Sequence, residues 1–210
     1  MSEALHPEET ITSIVFVRHG HTQQTEQGKL YSDHAVVLSD KGKKQTDDAA
    51  AWLPKEKPEL LLSSTAVRVK QSAEIVSAAL SLSIEFVPGL DEQNVGEWEG
   101  RSYLEIKKAQ PDVYKVWCTD PIRNRAPGGE SIQDVFERVG RDLEKLINEH
   151  AGKKIVLLTH AGVIRSAIIS ALGMPLDNFW RISVPTGSIS RIDYSNNFAT
   201  LHYMSLQFSR

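Results

Sequence analysis

The stretch IVFVRHGHT, residues 14–22, carries an apolar run straight into Arg18, His19, Gly20 and His21. Two chemistries could use such a cluster, and they exclude each other. His19 and His21 could hold a metal ion as neutral imidazoles, or His19 could be a nucleophile beside a bound anion. A dication would be repelled by Arg18 and by Arg68 further along, and the Asp and Glu ligands usual at such sites are missing. A phosphate has the opposite preference: it wants guanidinium forks, imidazole and the backbone N–H groups at helix starts. His19 among such groups could attack phosphorus and carry the phosphoryl group covalently. The residue types favour phosphate.

These side chains need elements to position them. ITSIVFV reads as a buried strand rich in β-branched residues. LSDKGKKQTDDAAAWL follows as a helix capped by Ser39 or Asp40. ELLLSS is a short strand leading into the helix VRVKQSAEIVSAAL, SIEFVPGL a third strand, and KKIVLLTH a fourth that leads into the helix AGVIRSAIISALG. The end of the sequence, SISRIDYS and FATLHYMSL around Asn196–Asn197, reads as a hairpin. Strands alternating with helices predict an α/β fold of three layers, a mainly parallel sheet with helices on both faces. Residues 11–210 form one domain on this reading, after an N-terminal extension over 1–10. The segment from about 91 to 130 breaks the rhythm with short aromatic and charged pieces, and suits a small helical cap. The helix SIQDVFERVGRDLEKLINEHA follows it.

In open parallel sheets, ligands bind beyond the carboxyl ends of strands. Here those ends carry Arg18-His19-Gly20, Thr159-His160-Ala161-Gly162, Ser63-Ser64 leading to Arg68, and Leu90-Asp91-Glu92. The topology would bring two histidines, two arginines and a carboxylate to one crevice.

Composition excludes several classes. A net charge of −3 provides no general attraction to nucleic acid or anionic lipid. The single cysteine, Cys118, rules out an internal disulfide framework. The segment MSEALHPEET lacks the apolar core of a signal peptide, and no run approaches the ~20 apolar residues that cross a bilayer. The expectation is a cytoplasmic protein with a small phosphorylated partner, neither nucleic acid nor membrane. The terminal hairpin offers an edge on which two copies could pair as a homodimer. There is no P-loop and no G-x-G-x-x-G after a strand.

In order, Arg18-His19-Gly20, LSDKGKKQ, SSTAVRVKQSAE, LDEQNVGEWEG, APGGES and THAGVIR resemble the motifs of the histidine phosphatase, or phosphoglycerate mutase-like, superfamily. The resemblance implies that His19 becomes phosphohistidine, that Arg18, Arg68 and His160 grip the phosphoryl oxygens, and that Glu92 serves as acid and then base. It further implies Gly20, Thr22, Thr25, Tyr31, Ser32 and Ala161 as substrate contacts, with no metal and no cofactor. The family commonly has Glu or Gln at position 21 and Asn at 25, where this chain has His21 and Thr25. Tyr31-Ser32 occupies the place of a Ser-Gly contact in the mutases. GEWEGRSYLEI with a short run to PGGES resembles the phosphatase branch, including alpha-ribazole phosphatase. The expected activity is metal-independent phosphomonoester hydrolysis; a cofactor-dependent mutase, or a catalytically weak binding member, is the alternative.

The remaining candidates have plainer readings. Asp91, Glu97 and Glu99 compete with Glu92 in one acidic loop. His21 reads as a pocket wall, and His6, His34, His150 and His202 as surface or packing residues. Trp98, Trp117 and Tyr103 read as cap packing. Arg123 and Arg125 could meet a second anionic group of a substrate, but solvated cap residues explain them better.

Overall fold

The computed structural model describes residues 10–195 and 198–208. His6, most of the N-terminal extension and the Asn196–Asn197 turn lie outside the described residues. Six strands form one sheet in the order β3-β2-β4-β1-β5-β6. The strands β1 (Thr12–Arg18), β2 (Leu60–Ser63), β3 (Ile84–Phe86) and β4 (Lys154–Thr159) are parallel. The hairpin β5 (Ile189–Ser195) and β6 (Phe198–Leu206) adds to β1 in the antiparallel sense. The sheet is therefore mixed, with its parallel part carrying the strand ends of interest.

Among the described residues there are seven α-helices besides short 3-10 turns: α1 (Gln23–Glu26), α2 (Asp40–Trp52), α3 (Val67–Leu80), α4 (Tyr103–Ala109), α5 (Pro111–Thr119), α6 (Ile132–Glu149) and α7 (Ala161–Ala171). Strand β1 is buried on both faces, and its side chains alternate as the pleat requires. Ile14 and Phe16 join the core built with α6 and α7, whereas Val15 and Val17 join the one built with α2 and α3. That division makes three layers. Helix α6 shows why this sequence takes its place: Ile132, Val135, Val139, Leu143 and Leu146 recur every three or four residues and are all buried. Its start is fixed by a capping box, in which the Asp134 N–H donates to Ser131 Oγ at 3.1 Å and the Ser131 N–H returns to Asp134 Oδ2 at 2.8 Å.

Residues 96–119 carry no strand. There α4 and α5 pack on a small apolar cluster of Trp98, Ile106 and Ala126, bordered by Tyr103, Tyr114 and Trp117. The Trp98 indole N–H donates to Gln110 Oε1 at 3.0 Å. Trp98, Trp117 and Tyr103 thus spend their rings on one another, with centroids 5.4–5.5 Å apart. This unit is stitched to the loop before α2 by the Leu30 N–H to Arg101 O and the Gly100 N–H to Leu30 O. Among the described residues no helix is long and apolar enough to cross a membrane.

Candidate active site

The register of β1 against β4 pairs Arg18 with Thr159, and the His19 N–H donates to Thr159 O at 3.1 Å. His19 and His160 each stand one residue beyond that pair, so two strands remote in sequence deliver both imidazoles to one point. Their ring centroids are 5.3 Å apart and tilted by 65°. The His19 Nδ1–H donates to Gly20 O at 2.8 Å. A carbonyl can only accept, so that nitrogen carries the proton and Nε2 keeps its lone pair. The glycine after His19 has a packing reason: a Cβ on Gly20 would lie 2.1 Å from Gly42 O of α2. The Gly20 N–H itself donates to Ser72 Oγ at 3.3 Å.

Both guanidiniums are short of partners. Arg68, in the first turn of α3, is completely buried. Its Nη1 donates to Asp33 O at 2.7 Å, Nη2 lies 3.3 Å from His160 Nδ1, and its plane sits 4.8 Å over the Tyr31 ring. Arg18 donates through Nη1 to Val184 O at 2.5 Å. The Nε of each is buried with no hydrogen-bond partner. Among the described residues neither has a carboxylate within ion-pair distance.

Burial sets the protonation of the histidines. Desolvation, then the charges of Arg18 and Arg68, hold His19 well below the usual imidazole range, although the Gly20 carbonyl works the other way. His160 is held low by burial, then by Arg68 and His19. Arg68 is itself lowered by burial, an effect opposed by Tyr31 and the nearby carboxylates. Two neutral imidazoles therefore sit beside one buried and one half-buried cation, a state in which a ring nitrogen keeps its lone pair.

Four acidic residues compete in the loop after β3, and the structure separates them. Asp91 accepts from Ser64 Oγ at 2.5 Å and from the Thr65 N–H at 2.9 Å. Glu99 accepts from the Ser32 N–H at 2.8 Å and from Ser32 Oγ at 2.6 Å, while Glu97 is exposed. Glu92 alone of the four lines the pocket that contains His19, Arg18 and Arg68, a hollow of about 150 Å³. Its Oε1 accepts from the Gly162 N–H at 3.2 Å, at the start of α7.

The other sequence candidates divide by position. Tyr31 and Ala161 line the pocket. Thr22 and Thr25 form a hydroxyl cluster with Tyr31, whose OH lies 2.7 Å from Thr25 Oγ1 and 3.1 Å from Thr22 Oγ1. Thr22 also caps α1. Ser32 is engaged by Glu99 and does not line the His19 pocket. His21 turns away from His19, its Nδ1 2.8 Å from Ser39 Oγ at the start of α2. Arg123 and Arg125 are paired with Asp120 and Asp134. His34, read as a surface residue, lies 3.6 Å from Asp91.

Sequence reasoning missed the role of Ser64. Its Oγ lies 2.7 Å from His160 Nε2. Because a guanidinium can only donate, His160 Nδ1 accepts from Arg68, so the Nε2–H points to Ser64 and the Ser64 hydroxyl to Asp91. This chain fixes the ring's tautomer and plane. The doublet Ser63-Ser64 was visible, but nothing in its spacing tells which serine faces His160. A larger hollow, about 650 Å³ and bordered by α6, α7 and β5, has Glu144 as its one charged residue among the described lining and shares no residue with the His19 pocket.

A neutral histidine framed by guanidiniums at the ends of parallel strands points to a class, and the comparisons agree with it. Residues 14–207 match the histidine phosphatase superfamily (branch 1). The chain belongs to that superfamily, and it is a phosphatase enzyme. It is 30% identical over 190 residues to the adenosylcobalamin/alpha-ribazole phosphatase of Escherichia coli strain K12, covering 90% of this chain and 93% of that one. It is 27% identical to a glucosyl-3-phosphoglycerate phosphatase of Mycolicibacterium vanbaalenii, covering 89% and 85%. The crystal structure of a putative alpha-ribazole-5'-P phosphatase from E. coli superposes with a TM-score of 0.85 at 28% identity, over 92% of this chain and 95% of that one.

Proposed function

We propose that the chain hydrolyses a small phosphomonoester through a phosphohistidine on His19 Nε2, without a metal ion. The observation that carries this reading is the pair of guanidiniums, Arg68 buried and Arg18 half-buried, each with a buried and unpartnered Nε, beside a neutral imidazole whose proton is tied to Gly20 O. Buried cations without counter-charge are costly, and a phosphoryl dianion satisfies both forks together.

In this reading Arg18 and Arg68 hold the phosphoryl oxygens while Nε2 attacks in line. The P–N bond forms as the P–O bond to the alcohol breaks, and Glu92 gives the departing alkoxide its proton. The imidazolium so formed keeps its Nδ1–H on Gly20 O. As the dianion arrives Arg68 Nη2 turns from the ring to a phosphoryl oxygen, and His160 Nδ1 takes up a proton from solvent and donates it to an oxygen, its Nε2–H still held by Ser64 and Asp91. Glu92, now a carboxylate held by the Gly162 N–H, draws a proton from water as that water attacks phosphorus; the P–N bond breaks, His19 departs as the neutral Nδ1–H imidazole, and phosphate is released. Electrostatic stabilisation of the transferring group is the largest contribution in such reactions. Relatives named for alpha-ribazole and glucosyl-3-phosphoglycerate support a small phosphorylated metabolite as substrate.

The test is phosphate release from a panel of phosphomonoesters in excess EDTA, with His19→Ala alongside. Release indifferent to EDTA and at least about 10³-fold slower in the variant is the expected result. Release abolished by EDTA and restored by zinc or manganese would overturn the reading.

A further inference from the structure

We propose that Arg165 and Lys29 form a second anion subsite on the leaving-group side of the pocket, selecting phosphomonoesters whose alcohol carries a carboxylate. The inference rests on the phosphatase reading above and assigns it a substrate class.

Position comes first. Arg165 follows Gly162 by three residues on α7, so the two share a helix face. The Gly162 N–H holds Glu92, the group that protonates the leaving oxygen. Arg165 therefore stands beside the alcohol part of the ester and not beside the phosphoryl oxygens. Both Arg165 and Lys29 line the same pocket as His19 and Glu92.

The guanidinium of Arg165 is fixed. Its Nε donates to Ile182 O at 2.9 Å, and its carbon lies 5.4 Å from the ring centres of both Phe179 and Trp180. A cation steadied in this way loses little further entropy on binding, and its planar fork matches a carboxylate. Nη1 and Nη2 have no hydrogen-bond partner among the described residues and are not in the fully buried class, so they are open to a ligand. Neither Arg165 nor Lys29 has a described carboxylate within ion-pair distance. The cap arginines that suggested themselves from sequence differ in this respect, being consumed by Asp120 and Asp134.

Charge accounting points the same way. Arg18, Lys29, Arg68 and Arg165 face the pocket with Glu92 as the one carboxylate. A phosphate dianion neutralises two of those charges and leaves the lining net positive. That surplus lies away from the phosphoryl end, where a carboxylate on the alcohol would meet it.

The test compares two esters that differ only in this group: 3-phosphoglycerate, and the glycerol phosphate of the same spatial configuration in which CH₂OH replaces the carboxylate. The intact chain is expected to favour the carboxylate by about tenfold or more in kcat/KM. Arg165→Gln should cut that ratio by about tenfold, and Lys29→Gln by about two- to threefold because its ammonium is partly solvated. Lys29→Gln alters a side chain at the pocket rim, so it reads the subsite even if the Arg165 variant folds poorly. A ratio below two in the intact chain, or one unchanged in both variants, overturns the subsite. Hydrolysis of p-nitrophenyl phosphate, lost in His19→Ala, reports the phosphatase reading separately. If that hydrolysis is absent the phosphatase reading fails, and calorimetric binding of the two esters then decides the subsite: tighter binding of the carboxylate ester supports it, equal affinity sinks it.

Discussion

The two walls of the pocket are built on different principles. On the sheet side, His19, His160, Ser64 and Arg68 are at most 1% exposed, and ladder registers or the first turn of a long helix place them. On the cap side, the loop 28–33 and the segment after Glu92 are held by side-chain carboxylates and a few backbone bonds, and most of their residues are half-buried or exposed. The first wall holds reacting groups to fractions of an ångström, which phosphoryl transfer needs. The second can change its alcohol-recognising surface without disturbing the first. On the proposed reading the chemistry sits on the rigid wall, and selectivity is shared between Arg165, fixed on α7, and Lys29 on the adaptable one.

The sharpest way to break this comparison is Arg68→Met. The guanidinium is buried without a carboxylate, so it costs stability, and on the proposed reading it serves transition-state charge. An apolar chain of similar volume should lower kcat/KM by about 10³-fold or more. The same change should raise the melting temperature by about 2–4 °C, one kcal/mol or so for a chain of this size. A melting temperature that falls by several degrees would show that Arg68 is a structural strut, and the division between the walls would collapse.

The second prediction uses the pH dependence of the rigid wall. Burial holds both imidazoles below their unfolded values, so near neutrality they are neutral in the folded and unfolded chains alike and cost nothing. As pH falls through about 6.5 the unfolded chain takes up protons that the folded chain refuses, and stability is lost toward acid. The slope is about 1.4 kcal/mol per pH unit for each imidazole, of order 3 for the pair. Denaturant unfolding between pH 5 and 8 should show a plateau above about pH 7 and this decline below 6.5. His160→Gln should remove about half the slope. Inorganic phosphate should flatten it, because the dianion favours imidazolium. A flat profile from pH 7 to 5 would mean that the rings take up protons in the folded chain.

Legibility in the sequence follows the same division. Residues 14–17 are apolar because both faces of the sheet are covered, and Arg18-His19 ends the run because strand ends face the ligand; composition and topology dictate both. The convergence of His19 on His160 required only that β1 neighbour β4, and the crossover rules make that probable from sequence. What stayed hidden depended on side-chain direction. Asp91 and Glu92 are adjacent in an irregular loop, where no period tells which one turns to Ser64 and which to Gly162. Arg165 was in plain view in THAGVIR, but its significance needed Phe179, Trp180 and Ile182, brought up by a segment with no strong pattern. Ser32, read as a substrate contact by resemblance, is occupied by Glu99, a pairing across 67 positions that no local spacing encodes.

Glu99 provides the mildest test and the one most specific to the adaptable wall. Its carboxylate accepts from the Ser32 N–H and Oγ and, at 3.2 Å, from the Asp33 N–H. These bonds fix the segment that bears Tyr31, whose ring lies under Arg68, and that presents Asp33 O to the same guanidinium. Glu99→Ala leaves three donors at a partly exposed site, where water can replace the lost acceptor at a cost of about 1 kcal/mol. The loop should loosen and the sheet should not. KM for a small ester is expected to rise about three- to tenfold with kcat nearly unchanged, and the melting temperature to drop by less than about 4 °C. A kcat loss approaching that of Arg68→Met would show the cap loop helping to hold the reacting groups in line, and the adaptable wall would then share in the chemistry that the strand ends otherwise carry alone.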